Sequence, residues 1–335
     1  MLTYEEFTEE LVQMLPDFLP EELRTRGIQI EPLVTTNDQH RDVLTPSGAP
    51  EGLSGKPVMY LDDAYKQYQA DDLSMENVCG RIAGALAESM NHIPDVNGIE
   101  SQIKPENLFC CMINLQGNQE YLKNVPHLIL GDLAAVYKIH VQDDRMGQGS
   151  VTISYQLMNR MGLSEEQLFI AAYENMLTTH PFIVERIEDS LTMDPDEYIG
   201  PKTFDDLSGL TPDSMMYVIS NKEKYWGSGV LLMKENIEKL SEHLNTSLIL
   251  IPSSVHEIIA VPDKDPELVK TCIAMVKDVN ESAVDPKERL SDSIYRYDRD
   301  RDELEIHTQD GQVRDMRLEN PDGSREHAKN EVQER

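Results

Sequence analysis

Positive charge is what this chain has least of. Its 335 residues carry 30 Lys and Arg against 61 Asp and Glu, a net of −31 at neutral pH. Residues 298–335 hold 12 acids and 7 bases, so only −5 of that total lies at the C-terminal end. The acidity therefore belongs to the folded body. Such a body repels phosphate backbones, because nucleic-acid affinity comes largely from Lys and Arg displacing counterions. It is repelled by anionic membrane surfaces for the same reason. Direct nucleic-acid binding and membrane attachment are not expected, whereas cations and basic partners are attracted.

Cysteine is scarce too. The four are Cys79, Cys110, Cys111 and Cys272, with no CxxC spacing. Cys110 and Cys111 are chain neighbours, which cannot easily bridge each other. A zinc site built on these thiols is not expected, and "LFCCMINL" reads as a buried strand. No run approaches the ~20 apolar residues of a membrane span. The start, "MLTYEEFTEELVQMLP", has acids where a secretory signal needs bases. The expectation is a soluble, reduced, cytoplasmic protein. HExxH, DxDxDG and paired-His spacings are missing, as is GxxxxGK, so no metal and no cofactor are expected.

What is present reads as alternating helices and strands. Thr3 and Glu6 form a capping box for a first helix with Tyr4, Phe7, Leu11, Met14 and Phe18 at helical spacing. "RGIQIEPLV" alternates like a strand, and residues 36–57, rich in Thr, Pro, Gly, Ser and Asp, read as a long loop. Ser74 caps a helix with Val78, Ile82 and Leu86 on one face, and Ser164 with Gln167 opens another. A helix carrying Val230, Met233, Ile237, Leu240 and Leu244 precedes the strands "SLILIP" and "HEIIAVP". Asp265 caps the helix that follows them. "SIYRYDRDRDELEIH" reads as a hairpin with Tyr295 and Tyr297 opposite Leu304 and Ile306. This order predicts an α+β fold, a mixed or mainly antiparallel sheet covered by helices. The division expected is an N-terminal α+β lobe over 1–95, a main domain over 96–308, and a polar disordered tail over 309–335.

The stretch with most chemistry in it is "PSSVHE", where Ser253, Ser254, His256 and Glu257 crowd together. A serine nucleophile needs a base within about 3 Å, and the base needs an orienting group. Glu257 follows His256 directly, so on a strand the two point to opposite faces and a local triad fails. Turn chemistry explains the same residues: Pro252 ends a strand and serine hydroxyls bond nearby backbone groups. Other binding candidates are His127 and Asp132 in "NVPHLILGDLAAVY", Asn175 on the apolar face of its helix, and Trp226, the single tryptophan. Gly227 and Gly229 beside Trp226 read as glycines that permit a tight approach to a helix start.

Several segments together, "VMYLDDAYKQY", "NLFCCMINLQGNQEYLKNVPH", "DLAAVY", "LILIPSSVHEIIAVP", "MVKDVNESAV" and "LSDSIYRYD", resemble domain-of-unknown-function family 5688 over roughly residues 3–300. The resemblance implies one bacterial, cytoplasmic architecture, found in gut Firmicutes and associated with mobile elements. It carries no catalytic residues. The function expected is therefore a non-catalytic interaction or binding protein with a protein partner. The alternatives are a serine/histidine hydrolase using "PSSVHE" and an acidic DNA mimic of the anti-restriction type.

Overall fold

The computed structural model describes residues 1–47, 59–70, 73–91, 96–143, 147–190 and 198–322. They fall into two compact units, one of residues 1–103 with 141–151, the other of residues 104–140 with 152–335. The division thus falls after residue 103 and takes a second segment of chain into the first unit; the sequence reading places it after residue 95.

The first unit contains helix α1 (Tyr4–Met14), α2 (Glu21–Arg26), strands β1 (Ile28–Thr35), β2 (Gln39–Pro46) and β3 (Met59–Tyr60), then α3 (Leu61–Ala70), α4 (Met75–Asn91) and α5 (Val96–Gln102). The capping box of α1 forms as expected, with Thr3 Oγ accepting from Glu6 N and the Glu6 carboxylate accepting from Thr3 N. Phe7 and Leu11 of α1 then bury against Leu44, Leu61, Val78, Ile82 and Leu86. The loop expected over 36–57 is in part a strand. β2 pairs antiparallel with β1, Ile28 opposite Pro46 and Thr35 opposite Gln39. Its polar residues are tolerated because one side of the strand is tied down: Arg41 forks onto Asp62 and Asp63 at 2.8 and 2.7 Å. Residues 48–57 of that segment lie outside the described residues.

The second unit holds two antiparallel sheets. The first is built from β4 (Leu108–Asn114), β5 (His127–Leu130) and β6 (Leu133–Asp143); the last residues of β6 and nearly all of β7 (Gly147–Thr152) belong to the first unit. After α6 (Tyr155–Met161) and α7 (Glu165–Thr178) come β8 (Phe182–Arg186), β9 (Lys202–Thr203), β10 (Tyr217–Asn221), α8 (Lys234–Leu244), β11 (Leu248–Ser254) and β12 (Glu257–Pro262). The chain closes with α9 (Leu268–Ser282), β13 (Ile294–Asp298), β14 (Glu303–His307), β15 (Val313–Asp315) and β16 (Leu318–Glu319). The larger sheet runs β15-β14-β13-β11-β12-β10-β8-β9, the smaller β16-β5-β6-β4 with β7 paired to β6. The chain is α+β, as its element order predicts. Ser164 and Gln167 make their capping box. The closing hairpin has the expected register, Tyr295 opposite Ile306 and Tyr297 opposite Leu304.

Three departures have physical causes. The helix expected from Val230 begins only at Lys234. Residues 227–232 form a tighter 3₁₀ segment, buried throughout, because Gly227 and Gly229 let its backbone press against two strands. The helix after β12 begins at Leu268, later than Asp265 implies, although the Asp265 carboxylate still accepts from Glu267 N. The polar segment from 309, read as a tail, supplies β15 and β16 and buries Met316. Thr308 and Gln312 close a turn around Gly311, whose φ of 80° suits a residue without Cβ. Residues 323–335 lie outside the described residues.

Candidate functional site around His256 and Trp226

β11 and β12 meet at a turn that is the "PSSVHE" segment, with a register shift between Ile251 and Ser254. Ser254 Oγ accepts from the His256 backbone N–H at 3.1 Å. Ser253 Oγ donates to Glu257 Oε1 at 3.4 Å. The His256 carbonyl accepts from Ser220 Oγ at 2.7 Å and from Gly227 N at 3.0 Å. Its ring Nδ1 accepts from the Trp226 backbone N–H at 3.1 Å. An imidazole that accepts at Nδ1 carries its proton on Nε2, so the ring is neutral. Burial pushes the His256 pKa down, with Glu288 and Glu257 acting against that shift. Nε2 lies 3.9 Å from Glu288 Oε1. Ser254 and His256 therefore spend their polar atoms on backbone groups and Ser253 on the Glu257 carboxylate, and neither hydroxyl meets the imidazole in these bonds.

Trp226 is held by this turn. Its backbone is left-handed, φ 59° and ψ 34°, a conformation that costs a non-glycine residue roughly 1–2 kcal/mol. The hydrogen bond to His256 and the stacking of Tyr225 on the His256 ring, centroids 5.4 Å apart, fix the loop in place. Beneath the Trp226 ring lies the ammonium of Lys138, 3.9 Å from the ring centroid. Lys138 is only 4% exposed, and its Nζ donates to Thr152 Oγ1 at 2.9 Å. Burial lowers its pKa, opposed by the neighbouring Cys111 thiol. A lysine in the middle of the apolar run "LAAVYKIHV" is the sequence signal for this group, and the reading of motifs passed over it.

The other candidates are placed structurally. Asp132, in the turn between β5 and β6, accepts from Ser291 Oγ at 2.6 Å and from Tyr295 OH at 2.9 Å. Asn280 donates to Ser291 O and Asp292 Oδ1, and Asn114 donates to Leu290 O. "DLAAVY", "VN" and "LSD" thus converge on one network joining the two sheets of this unit. Asn175 donates to Pro105 O and Leu108 O, tying α7 to the start of β4. His127 Nδ1 pairs with Val125 O at 2.9 Å.

The family model for the family of unknown function DUF5688 matches residues 4–299. The chain belongs to that family. No curated protein and no solved structure matches it. DUF5688 membership covers both compact units and brings no chemistry with it, so function has to be argued from this chain's own groups.

Nucleophiles are poorly served among those groups. All four thiols are free and buried. Burial pushes Cys79 up to about 11 and Cys111 up to about 12, and raises Cys110 and Cys272. Protonated thiols neither attack carbonyls nor hold metals. A cleft of about 650 Å³ opens beside α9, lined among others by Asp263, Val269, Ile273, Arg296 and His307. Its arginine is already neutralised by Asp263 and Asp298, at 2.8 and 2.7 Å. Among the described residues, two groups of side chains each bring three metal-ligating residues together. Glu303, Glu305 and Asp315 form one, but Arg301 and Arg296 pair with its glutamates. His140, His180 and Glu223 form the other, with ligand atoms all within 4.8 Å of one another. No reading of spacing could find this second group, because its members come from a strand, a helix end and a loop.

Among the described residues, no helix is long and apolar enough to cross a membrane.

Proposed function

We propose that the chain is a non-catalytic binding protein whose partner is a protein with a positively charged contact surface. The observation that carries this reading is the use of "PSSVHE" as a turn. Ser254 Oγ is taken up by a backbone N–H, Ser253 Oγ by Glu257, and the acceptor nitrogen of His256 by Trp226 N. A serine hydrolase needs that acceptor nitrogen for its nucleophile. The net charge of −31 supports the sign of the partner, since complementary fields speed encounter and exclude like-charged competitors. The reading places the protein in the cytoplasm, where its four free thiols stay reduced.

The test has two arms on the full chain. A fluorophosphonate probe should label neither Ser253 nor Ser254. In-cell crosslinking should return a recurrent partner that rebinds as a purified protein, with affinity that falls about tenfold or more between low and physiological salt. Labelling of either serine that disappears in His256→Ala overturns the reading in favour of a hydrolase. A partner whose affinity ignores salt overturns the charge argument.

A further inference from the structure

We propose that His140, His180 and Glu223 together bind one divalent transition-metal ion of the zinc class, through two imidazole nitrogens and one carboxylate oxygen. This goes beyond the binding reading above and does not depend on it.

Each ligand is delivered by a well-defined piece of the second unit. His140 sits on β6 two residues beyond Lys138. His180 lies just past the end of α7, where its backbone N–H donates to Asn175 O at 2.8 Å. Glu223 stands in the loop after β10. The ring of Phe109, on β4, stacks on His140 with centroids 4.0 Å apart and an interplanar angle of 15°, which sets the plane of that imidazole. The two imidazoles are 4.3 Å apart, centroid to centroid.

The polar atoms here are the unusual feature. His140 Nε2, both ring nitrogens of His180 and Glu223 Oε2 are buried and have no hydrogen-bond partner. Buried polar atoms are nearly always paired, because an unpaired one forfeits its hydration. Three of these orphans, one from each residue, call for a common partner. A cation supplies one, satisfying three ligands at once.

The donor set selects the kind of cation. Imidazole suits zinc, copper, nickel and iron, whereas calcium and magnesium take oxygen ligands. Two histidines and a carboxylate leave a fourth tetrahedral position open to water. Around a tetrahedral zinc ion, ligand atoms at ~2.1 Å lie roughly 3.4 Å apart. One donor atom from each of the three residues lies within 4.8 Å of the other two, so binding draws the side chains together. The competing explanation is an ion pair between His180 and Glu223. It leaves His140 Nε2 unmatched.

The experiment titrates the purified full chain, stripped with a chelator, with Zn²⁺ by calorimetry and with Co²⁺ by absorption. One Zn²⁺ per chain at micromolar or tighter Kd is expected, with a Co²⁺ spectrum in the visible range of tetrahedral intensity. His140→Asn, His180→Asn and Glu223→Gln should each weaken Zn²⁺ binding tenfold or more. Far-ultraviolet circular dichroism checks that each variant is folded, and the Co²⁺ spectrum of the parent serves as an independent readout if one is not. Absence of stoichiometric binding by the parent overturns the proposal. So does binding that survives all three substitutions, which would locate the ion on exposed side chains. An octahedral, weak Co²⁺ spectrum also overturns it.

Discussion

His256 shows how much a single side chain decides here. Its ring accepts the Trp226 N–H, its carbonyl receives Ser220 and Gly227, and its own N–H is held by Ser254. Removing the ring in His256→Ala orphans the Trp226 amide and the stacked face of Tyr225. The cost expected at neutral pH is about 1–3 kcal/mol in urea unfolding. The pH dependence carries a second signature. The folded-state pKa of His256 lies below the unfolded value, with burial and Lys138 and Lys287 outweighing Glu288 and Glu257. Below about pH 6.5 the unfolded chain therefore binds a proton that the folded chain resists, so the histidine's contribution falls as pH drops. The gap between parent and His256→Ala should shrink from pH 7.5 to pH 5.5. A gap that widens on acidification would mean that the ring is charged and paired with Glu288, and the assigned neutral tautomer would be wrong.

At the scale of elements, the 3₁₀ segment 227–232 is the least forgiving part of the fold. β4 is the last strand of its sheet, so its outer backbone groups need partners from elsewhere. Ser228 supplies them, its Oγ accepting from Met112 N at 3.0 Å and donating to Met112 O at 3.2 Å. Cys110 N is met by Met176 Sδ at 3.2 Å. Gly229 packs so closely that a Cβ would overlap the Cys110 carbonyl, and one on Gly227 would overlap Ser220 Oγ. Gly229→Ala must push backbone from backbone, and should cost about 3 kcal/mol or more by thermal or urea unfolding. Ser228→Ala leaves two buried groups of Met112 unpaired and should cost about 1–3 kcal/mol. If Gly229→Ala is tolerated within 1 kcal/mol, the segment does not lie against β4 as described. These two glycines also show what was legible beforehand. Caps, hairpin register and the turn character of "PSSVHE" are local and could be read from neighbouring residues. β2 and β15 could not: Arg41 of β2 is held by Asp62 and Asp63 from a later helix, and the exposed residues of β15 show no apolar alternation. The 3₁₀ segment looked helical because its apolar spacing is shared by both helix types. The cluster of His140, His180 and Glu223 has no local pattern at all, so only the fold brings it together.

At the scale of the whole molecule the governing quantity is charge. A net of −31 stores repulsion in the folded state, where like charges sit closer than in the unfolded chain. Favourable pairs act the other way. Arg296 is clamped by Asp263 and Asp298, Arg186 by Asp189, and Arg41 by Asp62 and Asp63. Salt weakens both effects, but not equally. The arginines in these clamps are only 16–22% exposed, so their short-range contacts are screened little. Exposed pairs such as Lys270–Glu267 contribute little to begin with. The repulsion is spread over the surface at separations comparable to the Debye length, and it is what salt removes. Sodium chloride at physiological strength should therefore stabilise the chain relative to about 10 mM, by on the order of 1 kcal/mol. Urea is the denaturant for this measurement, since guanidinium is itself a salt, and a chelator keeps metal binding out of the comparison. A urea midpoint that falls with added salt would show that ion pairs outweigh repulsion. The acidic surface would then be internally compensated, and the case for a basic partner would lose its physical basis.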